Sequence, residues 1–492
     1  MKYVGFVLAF LLTFTSLSAQ EVLARLDLGR RDAKPDFYEY CPADKGMVTM
    51  GPVTVAANRI IGIVKYDEKM NRQWMKEVLE QNGRKHVDFL TVIGDNIFVF
   101  ISEFFPKDKV IKTLYYKYNL RGDVLASDEV LSVYPNQQEQ KVDLEYELSP
   151  NKKRLLCYKN LRNRRESEQI LYYLFDDAGD LVQNGELKFR YPDDKFSVTD
   201  LRISNEGNIF ILGKLYKTDK IGSAKDYQYL AYHFDRKTEK MKEIPINFGS
   251  KYITSLAFRI DKEENMYVAG FYSDLGTDKI VGTVFQKIGQ DNKIMLEAAE
   301  EFSDEFKANF LSKGQIERGK ELSNFYMHNA GKDNGIVLRS DGGVLLMAER
   351  YYTTVQSYRD YYTGYWSQQT LYHYEEVILT SVSPEGKIEW HAIADKAQSG
   401  LDPANLSYFY AIGESGAYIF YEYSGRKQGT SIYYNLIEMD GKTAARVPLL
   451  KDFKWDSSFY PRYCEQVNNS EALIVYFSRG GSELSVVKVK IK

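Results

Sequence analysis

The feature that most limits how this chain can fold is a recurring turn. Gly94-Asp95, Pro150-Asn151, Glu206-Gly207, Glu264-Asn265, Asp341-Gly342, Ser415-Gly416 and Asn469-Ser470 punctuate the sequence. Most of them stand just before an aromatic and β-branched run, such as NIFVFISEF (96–104), NIFILGKLY (208–216), VLLMAERYY (344–352) and AYIFYEYSG (417–425). Between 95, 151, 207, 265, 342, 416 and 470 the steps are 56, 56, 58, 77, 74 and 54 residues. A second series, Arg121-Gly122, Ala178-Gly179, Asp291-Asn292, Glu385-Gly386 and Asp440-Gly441, falls between an upstream and a downstream strand. Four strands and two tight turns in a period in the fifties predict the blade of a β-propeller. A blade cannot bury both faces of its sheet alone, so its strands read as apolar on both sides. Seven full repeats, plus a short first one marked by Ala57-Asn58, leave seven or eight blades open. The run EVLARLDLG (21–29) is expected to add an outer strand to the last blade and close the ring. The competing architecture is two stacked β-sandwiches.

Composition narrows the class. The 492 residues are 44% hydrophobic and 27% charged, as in globular proteins, and the formal charge is −3. That charge gives no case for nucleic acid, which needs a basic stripe. MKYVGFVLAFLLTFTSLSAQ has a positive start, an apolar stretch from Val4 to Phe14 and a small residue at Ala19. It is expected to be a signal peptide over 1–19, followed by one propeller domain over 20–492 with no membrane span. No cysteine follows the apolar stretch, so lipoprotein attachment there is not expected, and the protein should be periplasmic or secreted. Cys41, Cys157 and Cys464 are too few for a disulfide scaffold. Cys41 can meet Cys464 if the chain ends meet; buried free thiols are the other option.

Two steps are overlong. The first holds 297–325, where Phe302, Phe306 and Phe310 recur at i, i+4 and i+8. This predicts one helix capped by Ser303 and ending at Lys313-Gly314. The second holds YYTTVQSYRDYYTGYWSQQTLYHY (351–374). With strands labelled A to D from the axis outwards, A–B and C–D turns share one face of the disc. B–C and D–A loops share the other. The helical insertion is a D–A connection and the tyrosine-rich one a B–C connection, so both should project from the same face. That face also carries most of the long loops, where function usually sits.

Strand alternation is expected to stop near Tyr352 and resume near Leu371. The candidate binding residues are Tyr358, Arg359, Tyr361, Tyr362, Tyr365, Trp366 and His373, with Asp395 and Lys396 from the next D–A loop. Tyr and Trp offer large contact area at low entropic cost and are enriched at interfaces. The leading option for this stretch is a structural one, in which the rings pack on Phe302 and Phe306. Protein recognition is the second and sugar stacking the third. His373 and Glu375 share a strand face and are placed to pair. Arg350 and a glutamate are expected to form a cross-strand ion pair.

Catalytic motifs are missing: there is no HExxH, GxSxG, GxGxxG or P-loop. FDDAGD (175–180) resembles part of a calcium loop but lacks the twelfth-position glutamate, so it reads as a turn. No metal or cofactor is expected. The blade phrases SNEGNIFILG and RSDGGVLLMAE, the SLSAQ cleavage region and GKIEWHAIADKAQ (386–398) resemble exported β-propeller proteins of Bacteroidota. The resemblance implies fold and export and transfers no catalytic residue; Trp390 within it is expected to pack on an outer strand. The expected function is an envelope scaffold that binds a protein partner. The alternative is a glycan- or peptide-acting enzyme with carboxylates at the mouth of the axial channel.

Overall fold

The computed structural model describes residues 21–28, 36–55, 58–80, 85–133, 144–161, 167–218, 226–274, 279–327, 335–359, 364–425, 429–449, 457–478 and 484–492. The expected signal peptide lies outside them. Antiparallel sheets follow one another along the chain. Blade 1 spans Phe37–Glu80, blade 2 Lys85–Val133, blade 3 Glu145–Pro192 and blade 4 Phe196–Pro245. Blade 5 spans Tyr252–Glu301, blade 6 Phe325–Ala394, blade 7 Tyr408–Pro448 and blade 8 Ser457–Lys490. Blade 8 takes its outer strand from Val22–Leu28, paired antiparallel from Val22↔Val489 to Leu28↔Leu484 with one shift in register between Val22 and Ala24.

Eight buried apolar clusters join each sheet to the next. Val48 and Val99 share one, Phe100 and Phe175 the next, then Tyr172 with Phe234 and Phe210 with Phe258. Phe271 with Leu346, Leu379 with Tyr421, Tyr434 with Phe459 and Tyr40 with Val475 continue the series. The last joins blade 1 to blade 8, so the interfaces close on themselves. The chain is an eight-bladed β-propeller, and the sandwich alternative falls.

The turns repeat because their backbone demands it. Left-handed residues mark the A–B turns at Lys45, Gly94, Lys152, Gly207, Glu264, Gly342 and Gly416. They mark the C–D turns at Met70, Gly122, Gly179, Glu239, Asn292, Gly386 and Gly441. The C–D turns also ride on the preceding blade. A Cβ at Gly179 would sit 1.9 Å from Phe98 Cζ, and one at Gly441 would sit 2.7 Å from the Trp390 ring. Trp390, on the outer strand Ile388–Ala394, donates its indole N–H to Met439 O at 3.1 Å, and Trp74 does the same to Leu120 O at 2.8 Å. FDDAGD is the C–D turn of blade 3, closed by Gly179 N–H to Asp176 O.

Three sequence expectations are corrected. Asn58 lies opposite Val55 across the B–C connection of blade 1, not after an A–B turn. The true A–B mark is Lys45, 50 residues before 95, so the first blade is complete. The single helix is two one-turn helices, α1 (Asp304–Lys307) and α2 (Lys313–Glu317), and Lys313 opens the second instead of ending the first. Ser303 does cap α1, accepting from Phe306 N at 3.1 Å. Of the two options left open for the cysteines, the structure has Cys41 and Cys464 as free thiols. Cys41 belongs to the blade 1–2 cluster and Cys464 flanks the blade 7–8 and 8–1 clusters, so the ends meet without bonding. Burial pushes the Cys41 thiol up to about 12, which leaves it unreactive.

Candidate functional site

The strands around the tyrosine-rich stretch run further than alternation suggested. Blade 6 carries a B strand of Val344–Arg359 and a C strand of Trp366–Val382, paired as far as Arg359↔Trp366. TTVQSYR has no apolar–polar alternation because neither of its faces meets a core: residues 353–359 are all exposed. From Tyr352 to Arg359 the ribbon extends about 23 Å at ~3.3 Å per residue. Residues paired across it share a face. One face carries Tyr351, Tyr374, Tyr372, Val355, Arg359 and Trp366; the other carries Tyr352, His373, Leu371 and Tyr358.

The lower hairpin is bracketed on both edges. Phe325-Tyr326 pairs with Arg350 and Glu349, and Gln398–Gly400 pairs with Tyr374 to Tyr372. Both brackets come from D–A connections, which puts the helical insertion and the hairpin on one face. Above them, 353–359 and 366–371 pair only with each other among the described residues. A two-stranded ribbon is marginal in water by itself, so its base must hold it.

Three layers form that base. Deepest is a buried ion pair, Lys396 Nζ to Glu349 Oε1 at 2.6 Å, with both side chains almost wholly buried. Lys396 also donates to Tyr374 O at 3.0 Å and Gln398 Oε1 at 2.9 Å, and Ser407 Oγ donates to Glu349 at 2.5 Å. Desolvation pushes the Lys396 pKa down and the Glu349 pKa up. Next, Arg350 binds Glu375 through Nη2 and Glu376 through Nε, the latter at 3.0 Å. This is the expected cross-strand pair, with a second carboxylate added. Tyr352 O–H donates to Glu375 at 2.8 Å and its ring stacks on His373 at 4.5 Å. Outermost, Tyr351 packs edge-on to Tyr326 at 5.9 Å and against Tyr374 at 4.8 Å.

The named candidates divide accordingly. Tyr365 and Trp366 are 76% and 73% exposed, and Tyr358 is 46% exposed. Arg359 is exposed and donates from Nε to Gly364 O at 3.0 Å. Tyr361 and Tyr362 lie outside the described residues. His373 does not pair with Glu375; it bonds Thr354 Oγ1 at 2.8 Å, because Arg350 and Tyr352 already occupy that carboxylate. Lys396 is not on the surface, and it acts by anchoring the hairpin. Asp395 is exposed and meets Arg446 Nη2 at 3.4 Å, while the Arg446 guanidinium lies 3.8 Å over the Tyr423 ring. Among the described residues, no ring contact joins the tyrosine-rich stretch to Phe302 or Phe306. Those two stack on each other at 4.9 Å and meet His391, and Phe310 passes the stack on to Phe325. Glu349 stands out in the sequence beside Arg350 at the base of the insertion, but its burial and its pairing with Lys396 do not. In VLLMAE it falls in step with Leu345 and Met347, so it points to a buried face and requires a partner.

On the axis, Glu147, Arg202, Arg259, Val337 and Tyr410 from blades 3 to 7 line a cavity of about 350 Å³. Arg202 Nη1 binds Glu147 at 2.8 Å, and Arg202 Nε lies 3.2 Å from Asp200. Burial raises the Glu147 pKa against the pull of both arginines. Among the described residues, no helix is long and apolar enough to cross a membrane.

No protein-family model matches the chain, and no curated protein does. Solved structures are similar to it in fold. Saccharomyces cerevisiae Sqt1 shares 7% identity over 96% of this chain and 100% of its own, with a TM-score of 0.43. The WD40 domain of SCAP from fission yeast shares 9% over 95% and 98%, with a TM-score of 0.41. The beta-propeller domain of the Trilobed protease from Pyrococcus furiosus shares 11% over 92% and 94%, with a TM-score of 0.32.

Proposed function

We propose that the protein is an exported scaffold of the cell envelope that holds a protein partner through the blade 6 hairpin. The observation that carries this reading is an aromatic ribbon whose described end residues Tyr358, Tyr365 and Trp366 are exposed, yet which is fastened at its base by ion pairs, stacked rings and two added strands. Its Tyr358, Tyr365 and Trp366 are the large, amphipathic side chains that dominate binding energy at protein interfaces. The N-terminal segment supports export.

The test compares the whole protein with a variant lacking residues 358–368, each incubated with native envelope extract. A proteinaceous ligand retained by the first and lost by the second, at unchanged melting temperature, is the expected result. Retention of polysaccharide that survives protease treatment would select glycan recognition instead. Equal capture by both proteins overturns the assignment to the hairpin.

A further inference from the structure

Each blade ends in an outer strand at the edge of its sheet, and each of these edges is blunted. The outer strands of blades 1 to 6 and 8 all carry charged residues, such as Asp128 and Glu129 in Val124–Val133 or Lys242 and Glu243 in Lys240–Pro245. The outer strand of blade 7 is two residues long, and one of them is Pro448. Charge, proline and shortness keep an edge from recruiting a further strand.

The hairpin has an edge with none of these devices. Residues 366–371, WSQQTL, hold no acid, no base and no proline. They pair with the B strand in unbroken register from Arg359↔Trp366 to Thr354↔Leu371, and their other edge pairs with nothing among the described residues. The B strand ends in Arg359, so the C-strand edge is the uncharged one. Just below, that edge already carries an added strand: Gln398–Gly400 pairs antiparallel with Tyr374 to Tyr372. It stops at Gly400, and the chain turns into the short helix Pro403–Asn405 capped by Asp402.

We propose that the partner held by the hairpin binds as an extended, uncharged strand added along residues 366–371, in line with Gln398–Gly400. This rests on the hairpin being the site of partner capture. Main-chain hydrogen bonds supply the affinity of such an addition, and the side chains beside the edge supply selectivity. Trp366 and Leu371 stand on opposite faces, so the added strand takes an apolar side chain opposite each. A third strand also steadies a ribbon that is marginal with two. A second copy of this chain fits less well. Pairing two hairpins edge to edge engages at most seven residues of one strand and six of the other a side, against about 20–30 in a stable interface.

The test pans a random hexapeptide library on the full protein, with the variant lacking residues 358–368 as counter-selection. Enriched peptides are synthesised with every second amide N-methylated, in both phases, and titrated by fluorescence anisotropy. One phase should lose about tenfold or more in affinity and the other little, because alternate N–H groups of a strand point to opposite edges. Amide hydrogen exchange over 366–371 should slow when the unmethylated peptide is bound. Gln368→Lys with Thr370→Lys should weaken binding about tenfold at unchanged melting temperature, while Gln368→Asn with Thr370→Ser keeps it. Tolerance of N-methylation in both phases, slowed exchange over 353–359 alone, or no hairpin-dependent enrichment each overturns the proposal. So does a dimer on size exclusion that the two lysines dissolve, which would give the edge to a second copy. If deletion of 358–368 still removes the ligand captured from envelope extract, the hairpin assignment stands and only strand addition falls.

Discussion

Glu349 and Lys396 are unusual for how completely they are buried, and that makes the pair asymmetric to mutation. Lys396→Met leaves a carboxylate without its cation between blades 6 and 7, and should cost about 3–5 kcal/mol. Glu349→Met with Lys396→Met removes both charges and should recover most of that loss. Denaturant melts of the three variants measure it, and a double variant no better than Lys396→Met would refute the coupling. His391 gives a pH effect of known sign. Burial against Phe302 and Phe306 holds its pKa down at about 4. Its unfolded value is about 6.5, so protons bind the unfolded chain first as pH falls. Its stabilising contribution is therefore complete above 6.5 and is lost between 6.5 and 4. From pH 7 to pH 5 the loss is about 2 kcal/mol at ~1.4 kcal/mol per pH unit. His391→Phe should flatten the stability profile over that window relative to the parent protein.

At the scale of elements, legibility followed local backbone chemistry. Most of the turn marks could be read because a left-handed residue favours Gly or Asn, which fill nine of the fourteen such turn positions at the blade period. The Ser303 cap could be read because its hydroxyl and the two acids after it act within one turn. The helix end could not. Phe302, Phe306 and Phe310 keep helical spacing, but their stacking on His391 and Phe325 sets where the chain turns, and those partners lie far away in sequence. The reach of the hairpin was hidden for the opposite reason, since a ribbon with no buried face has no alternation to read. This contrast predicts opposite responses from neighbouring aromatics. Trp366→Ser, at an exposed tip, should change stability by no more than about 0.5 kcal/mol. Phe302→Ala, 1% exposed within the blade 5–6 cluster, should cost about 3–5 kcal/mol. Calorimetric melting of both variants checks this, and a large loss from Trp366→Ser would return the tip to a packing role.

For the whole molecule, stability depends on a ring of eight interfaces, and with all three cysteines free no disulfide backs any of them. The closing strand Val22–Leu28 was visible in the sequence as an unassigned β run ahead of the first blade. What the sequence could not give was its register, which is set by the distant strand Leu484–Lys490. Without it, that strand becomes the outer edge of blade 8, with unpaired N–H and C=O groups and the buried apolar side chains Val486, Val487 and Val489, on both of its faces, behind them. Ala24, Leu26 and Leu28 also leave the cluster that seals blade 8 to blade 1. A chain beginning at residue 29 should therefore fold less stably and self-associate through the bared edge. A peptide of residues 21–29 supplied in trans should restore much of the melting temperature and return the elution volume to that of the parent protein on size exclusion. Leu26→Asp, which keeps the strand but places a charge in the seal, should fall between the two. If the truncated chain melts and elutes as the parent does, blades 1 and 8 are held by their inner strands alone, and the closing strand is dispensable.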